Sequence, residues 1–115
     1  MQKIALFAFN GELLCFVHVM LNALDMKAKD FDVRLVFEGA SVTLIPELSK
    51  KENMFHALYL KLKDSGVIDG ACKACSHKLE VAEAVQAEGI AFIGEMQGHP
   101  SISGYLDQGY EVITF

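Results

Sequence analysis

With 115 residues, 52% of them hydrophobic and 22% charged, the chain has the composition of one globular domain with its own core. The net charge of −5, with nothing more basic than Lys50-Lys51, gives nucleic-acid binding no electrostatic footprint. The longest apolar stretch, Leu13 to Leu24, is interrupted by His18 and Asn22 and is too short to cross a bilayer, so no membrane partner is expected.

Met1-Gln2-Lys3 runs straight into a strand and leaves no room for a signal peptide, so a cytoplasmic location is expected. In that compartment three cysteines argue against a disulfide framework, and a C-x2-C pair points instead to chemistry, redox activity or metal binding.

Lys3 to Phe9 is a continuous apolar run ending at Asn10-Gly11, as in a parallel strand covered on both faces. Glu12 to Lys27 has helix length and good helix formers, and its apolar residues nearly encircle it. One stripe suffices to pack on a sheet, so the surplus predicts either cover by another subunit or deep burial within the domain. Cys15, alone among apolar residues, reads as a small buried hydrophobe.

Val33 to Phe37 is a second strand, closing on Glu38-Gly39-Ala40-Ser41. Val42 to Leu48 is ambiguous because of Pro46. Ser49-Lys50-Lys51-Glu52 matches a capping box for a helix with Phe55, Leu58, Tyr59 and Leu62 on one face, stopped at Gly66. Val67 to Ala71 is a third strand leading into Cys72 and Cys75. Ser76 reads as the N-cap of a helix through Leu79, Ala82, Val85 and Ala87, stopped by Gly89. Ile90 to Ile93 is a fourth strand, Ser101 to Gln108 a short helix, and Tyr110 to Phe115 the last strand.

This alternation predicts a single α/β domain over residues 1–115, a three-layer α/β/α sandwich around a five-stranded parallel sheet. Ligands bind such folds beyond the carboxyl ends of the strands. The exits are Asn10-Gly11, Glu38-Gly39, Cys72 to Cys75, and Gly94 to Met96, so the thiols are expected beside small, backbone-exposing residues. A cysteine where a helix begins meets unpaired N–H groups that favour thiolate, the reactive form.

Phe37-Glu38-Gly39-Ala40-Ser41-Val42 after the second strand and Ala74-Cys75-Ser76-His77-Lys78-Leu79 at the third βα junction give the chain its resemblance. Over nearly its whole length it resembles the DsrE/DsrF-like family of small sulfur-relay proteins. The resemblance implies a flavodoxin-like sheet of strand order 4-3-2-1-5, a homotrimer or hexamer, and a persulfide carried on Cys75 between donor and acceptor proteins. Cys72 has no fixed place in that pattern; it can resolve a persulfide or sulfenate on Cys75, or sit inert at a strand end.

The candidate reactive residues are therefore Cys75 and Cys72. Asn10, Gly11, Glu38, Gly39, Ser76, His77, Gly94 and Met96 are the candidate pocket residues, with Lys73, Lys78 and His77 adding local positive charge. No cofactor is expected. A metal site from Cys72, Cys75, His77 and His99 has thin support, because no second ligand pair follows at finger-like spacing, and no metal is assigned.

Two further readings stay open: a thiol–disulfide redox protein using the C-x-x-C pair, and a non-catalytic oligomeric protein binding a small ligand. Glu38 and Glu95 can both face the crevice as proton acceptors, although solvated loop carboxylates are the plainer reading. His18 and His56 read as a core or interface residue and a helix-flank residue.

Overall fold

Lys3–Ala8 forms strand β1, with Ile4 to Ala8 all buried, in the computed structural model, which describes residues 1–115. β1 lies between β2 (Asp32–Phe37) and β5 (Glu111–Thr114), parallel to both. β3 (Ile68–Cys72) pairs with β2, and the two-residue β4 (Phe92–Ile93) completes the sheet. The order is β4-β3-β2-β1-β5, the one the resemblance implies.

Alternate residues of β1 feed two cores. Ile4, Leu6 and Ala8 join a cluster of 20 buried residues. Contributing to it are α1 (Leu13–Ala28), α2 (Leu44–Leu48), α3 (His56–Ser65) and α5 (Ala82–Ala87). Ala5 and Phe7 point to the other face, where Val36 and two tyrosines close a core of five. Tyr105 there comes from α6 (Ile102–Asp107), the short helix of the second layer. Beside it Arg34 sits 3.2 Å from both Asp32 and Asp69; Tyr110 donates to Asp32 at 2.8 Å and Tyr105 donates to Asp69. The layers are thus unequal, one apolar and thick, the other thin and partly polar.

Three local expectations are corrected, and the ambiguous stretch around Pro46 is resolved. The Ser49–Glu52 capping box does not form: Ser49 Oγ donates back to the Pro46 carbonyl, Asn53 Oδ1 accepts from the Phe55 amide, and α3 begins at His56. Pro46 is tolerated as the third residue of α2, where a missing amide would lack an intrahelical partner anyway. The helix expected from Ser76 to Ala87 is two helices, α4 (Lys73–Lys78) and α5, separated by Glu80 at φ +60°. Finally, Cys15 is exposed rather than buried.

On α1, Phe16, Val19, Met20 and Ala23 are buried, whereas Leu14 and Leu21 keep 62% and 50% of their surface exposed. The outer apolar face of α1 is therefore uncovered within one chain. No helix is long and apolar enough to cross a membrane.

One polar cluster ties α3 to the end of α5 and yields a pH prediction. Tyr59 donates to Glu88 Oε1 at 2.6 Å and Lys63 lies 3.2 Å from the same oxygen. Burial opposes ionisation of Glu88, but the bonds from Tyr59 and Lys63 outweigh it and hold its carboxyl below the ordinary value of 4.5. A folded pKa below the unfolded one gives stability that is present above the unfolded value and lost as pH falls through the folded one. Glu88→Gln is therefore expected to cost about 1 kcal/mol at neutral pH and to flatten the acid side of the stability curve. Urea unfolding at neutral and acid pH checks this, and a variant with the wild-type acid slope contradicts it.

Candidate functional site

β3 ends at Cys72, and the chain turns there directly into α4. Cys72 is the N-cap residue and its sulfur does the capping, accepting the Cys75 amide at 3.4 Å. Cys75 lies one turn further on, so the two thiols stand on the same side of the helix start. Ser76, expected as the N-cap, lies inside α4, fully buried, and donates to the Cys72 carbonyl at 2.7 Å. It braces the turn and does not reach the thiols' open side.

Glu38 reaches the thiols from the end of β2. Its amide bonds to the Ala8 carbonyl at 2.9 Å and to Ser41 Oγ at 3.1 Å, and Ser41 Oγ in turn donates to Ala8 and Glu38 carbonyls. These bonds lock the exits of β1 and β2 together. The carboxylate, on a residue only 7% exposed, accepts the Gly39 amide at 3.0 Å and the Cys75 thiol at 3.3 Å.

The fourth member, His99, comes from the loop after β4. The Gly98 carbonyl accepts the Ala74 amide of α4 at 2.8 Å, and Met96 and His99 bridge each other's backbone. Two glycines permit this approach. A Cβ on Gly98, which has φ +92°, would lie 3.1 Å from Ala74 Cβ; one on Gly94 would lie 3.2 Å from Lys73 Cβ. His99 Nδ1 then sits 3.2 Å from Cys72 Sγ, 4.0 Å from Cys75 Sγ and 3.8 Å from Glu38 Oε1. One ligating atom from each of Glu38, Cys72, Cys75 and His99 falls within 4.8 Å of all the others.

The two thiols are not equivalent. Cys72 is fully buried, and burial pushes its thiol well above the usual range against the opposing pull of the Cys75 amide. Cys75 is only half-buried. An open cavity of about 600 Å³ meets the cluster at Glu38 and His99, with Phe9, Met96 and Ile102 as apolar walls.

Of the other expected pocket residues, Gly39 (φ +55°) and Met96 line this cavity. Gly11 packs against Ala40, where a Cβ would lie 2.9 Å from the alanine's own. Asn10 is turned to its own loop, accepting the Glu12 amide at 2.7 Å. His77 does not join the thiols; its ring lies on Phe92 with centroids 5.4 Å apart, and the side chain is exposed. Glu95 accepts the Ser101 amide at 2.8 Å ahead of α6, leaving Glu38 as the carboxylate at the thiols. Lys73 is exposed at the start of α4 and Lys78 at its end.

Fold and site together define a small parallel α/β protein with two thiols, a carboxylate and an imidazole gathered where the strands end. No family model matches the chain. It is 29% identical over 97 residues to an uncharacterized protein of Methanocaldococcus jannaschii, a match covering 84% of this chain and 77% of that one. A solved conserved protein of unknown function from Bacteroides thetaiotaomicron has the same fold. Its TM-score is 0.74 at 21% identity, over 99% of this chain and 95% of that structure.

Proposed function

We propose that the protein is a cytoplasmic sulfur-relay protein of the DsrE-like kind, taking a sulfane sulfur onto Cys75 as a persulfide and passing it to a partner protein. The observation that carries this reading is the half-buried Cys75 thiol donating to the Glu38 carboxylate at 3.3 Å, with the fully buried thiol of Cys72 beside it. Glu38 takes the Cys75 proton. The thiolate attacks the outer sulfur of a donor persulfide, the donor's S–S bond breaks, and the departing thiolate recovers the proton from Glu38. The exchange is redox-neutral and needs no cofactor.

Release takes one of two routes. An acceptor thiolate can attack the outer sulfur and carry it away. Alternatively Cys72, once deprotonated, attacks Cys75 Sγ, forming a disulfide and expelling hydrosulfide, after which an external thiol must restore the pair. The high affinity of Cys72 for its proton favours the first route while the protein rests.

Intact-protein mass spectrometry after incubation with a small-molecule persulfide tests the proposal. One added sulfur atom per chain is the expected result. No adduct under any condition overturns it and turns attention to a binding protein for a small apolar ligand, for which the cavity by Phe9 and Ile102 has room.

We propose further that the chain assembles with copies of itself into a trimer or hexamer, through the outer face of α1. Leu14 and Leu21, two turns apart and half or more exposed, are the reason. Sedimentation at micromolar concentration is expected to show an oligomer that Leu14→Asp and Leu21→Asp dissociate; a wild-type monomer contradicts it.

A further inference from the structure

We infer that Glu38, Cys72, Cys75 and His99 form a binding site for zinc. The inference uses the residues of the sulfur-relay reading but does not rest on that reading. It begins from the spacing of the four ligating atoms. Zn–S bonds of about 2.3 Å and Zn–N or Zn–O bonds of about 2.0–2.1 Å set tetrahedral ligands about 3.3–3.8 Å apart. The distances here are 3.2 Å for Cys72–His99, 3.3 Å for Cys75–Glu38, 3.8 Å for His99–Glu38 and 4.0 Å for Cys75–His99. The remaining pairs lie within 4.8 Å. Small side-chain rotations close this set around one ion.

The donor chemistry selects the metal. Two thiolates and an imidazole are soft or borderline ligands that suit zinc and disfavour magnesium and calcium, which take oxygen. The surroundings already orient the donors: the Cys75 amide points at Cys72 Sγ, the Gly39 amide at Glu38 Oε1, and Nδ1 is the His99 nitrogen facing the cluster. Binding displaces the two thiol protons to solvent, and no electron is transferred.

The ligands come from three chain segments, the end of β2, the β3–α4 turn and the loop after β4, so the ion would stitch the strand exits together. Glu38 and His99 line the open cavity, which gives the ion a route in and out. A zinc-held Cys75 has no free thiolate. Zinc occupancy and sulfur loading are then mutually exclusive, and the metal guards the thiols until it is removed.

The test is titration of the reduced, chelator-treated protein with cobalt(II) chloride, followed by competition with zinc chloride. One cobalt per chain is expected, with thiolate-to-cobalt charge-transfer absorption, the visible bands of a tetrahedral ion, and displacement by zinc. His99→Ala, a change on a half-exposed loop residue, is expected to weaken zinc binding by at least about tenfold, the loss typical of far milder changes around metal sites. Cys75→Ser should remove part of the charge-transfer intensity, with circular dichroism confirming that both variants fold. A titration without charge-transfer absorption overturns the site, as does wild-type zinc affinity in His99→Ala. Sulfur loading of the metal-free protein is scored separately. Loading without a cobalt spectrum removes the metal site alone, and a cobalt spectrum without loading removes the sulfur relay alone.

Discussion

Cys75→Ser is expected to bring sulfur loading down to background, while Cys72→Ser loads fully and holds its sulfur longer than wild type. The asymmetry follows from where the chain puts each thiol. Cys75 is half-buried, with its thiol on Glu38 Oε1 at 3.3 Å. Cys72 is fully buried, and burial keeps its proton on, so it is a poor first nucleophile. Both variants should fold. Serine is a good N-cap residue, so at position 72 a hydroxyl replaces a sulfur in a bond it makes readily.

Glu38→Gln extends the same prediction. It leaves the backbone bonds of Glu38 in place and removes only the proton acceptor, so the rate of loading should fall by about 10²-fold, the usual contribution of a general base. Time courses of mass spectra on wild type and the three variants decide the matter. Equal loading of Cys75→Ser and Cys72→Ser would sink the assignment of roles, and an unchanged rate in Glu38→Gln would remove the carboxylate from the mechanism.

The sheet was legible because its signals are local and strong. An uninterrupted apolar run such as Ile4 to Ala8 suits a strand covered on both faces, and strand–helix alternation forces parallel crossovers. The thiol pair was legible for the same reason, since spacing along one turn fixes which side chains meet. That rule also explains the position of His77. Two residues beyond Cys75 on a helix, it points to another side, and it packs on Phe92.

What stayed hidden depends on contacts between distant segments. The sequence offers His99 beside the thiols only as a thinly supported metal ligand; what holds it there, the Gly98 carbonyl on the Ala74 amide, is a pairing across 24 positions that no local pattern encodes. The break between α4 and α5 carries no glycine or proline. It is made by Glu80 in the left-handed region, with the Val81 amide bonded back to the Ser76 carbonyl at 2.9 Å. The Ser49–Glu52 motif failed because Ser49 and Asn53 found closer backbone partners of their own.

Gly70→Ala is expected to destabilise the protein by about 2 kcal/mol, although alanine in place of glycine ordinarily helps a strand. Gly70 is buried in β3, and a Cβ there would lie 2.5 Å from Ile93 Cγ1 and 2.7 Å from the Ala91 carbonyl oxygen. The Ile93 side chain can rotate away, but the Ala91 oxygen is backbone and accepts the Ala71 amide at 2.9 Å. Relief therefore requires β4 to move, and β4 has only Phe92 and Ile93 to hold it, paired with Ala71 and Cys72. Moving β4 also moves the loop that carries His99.

Denaturant unfolding of Gly70→Ala, of Ile93→Ala and of the double variant separates the two contacts. If the backbone contact dominates, Ile93→Ala does not rescue Gly70→Ala and the two losses add. Full rescue would mean that only the side chain is in the way and that β4 keeps its place. A loss well under 1 kcal/mol in Gly70→Ala would show that β4 shifts freely, and the position of His99 beside the thiols would then lose its structural support.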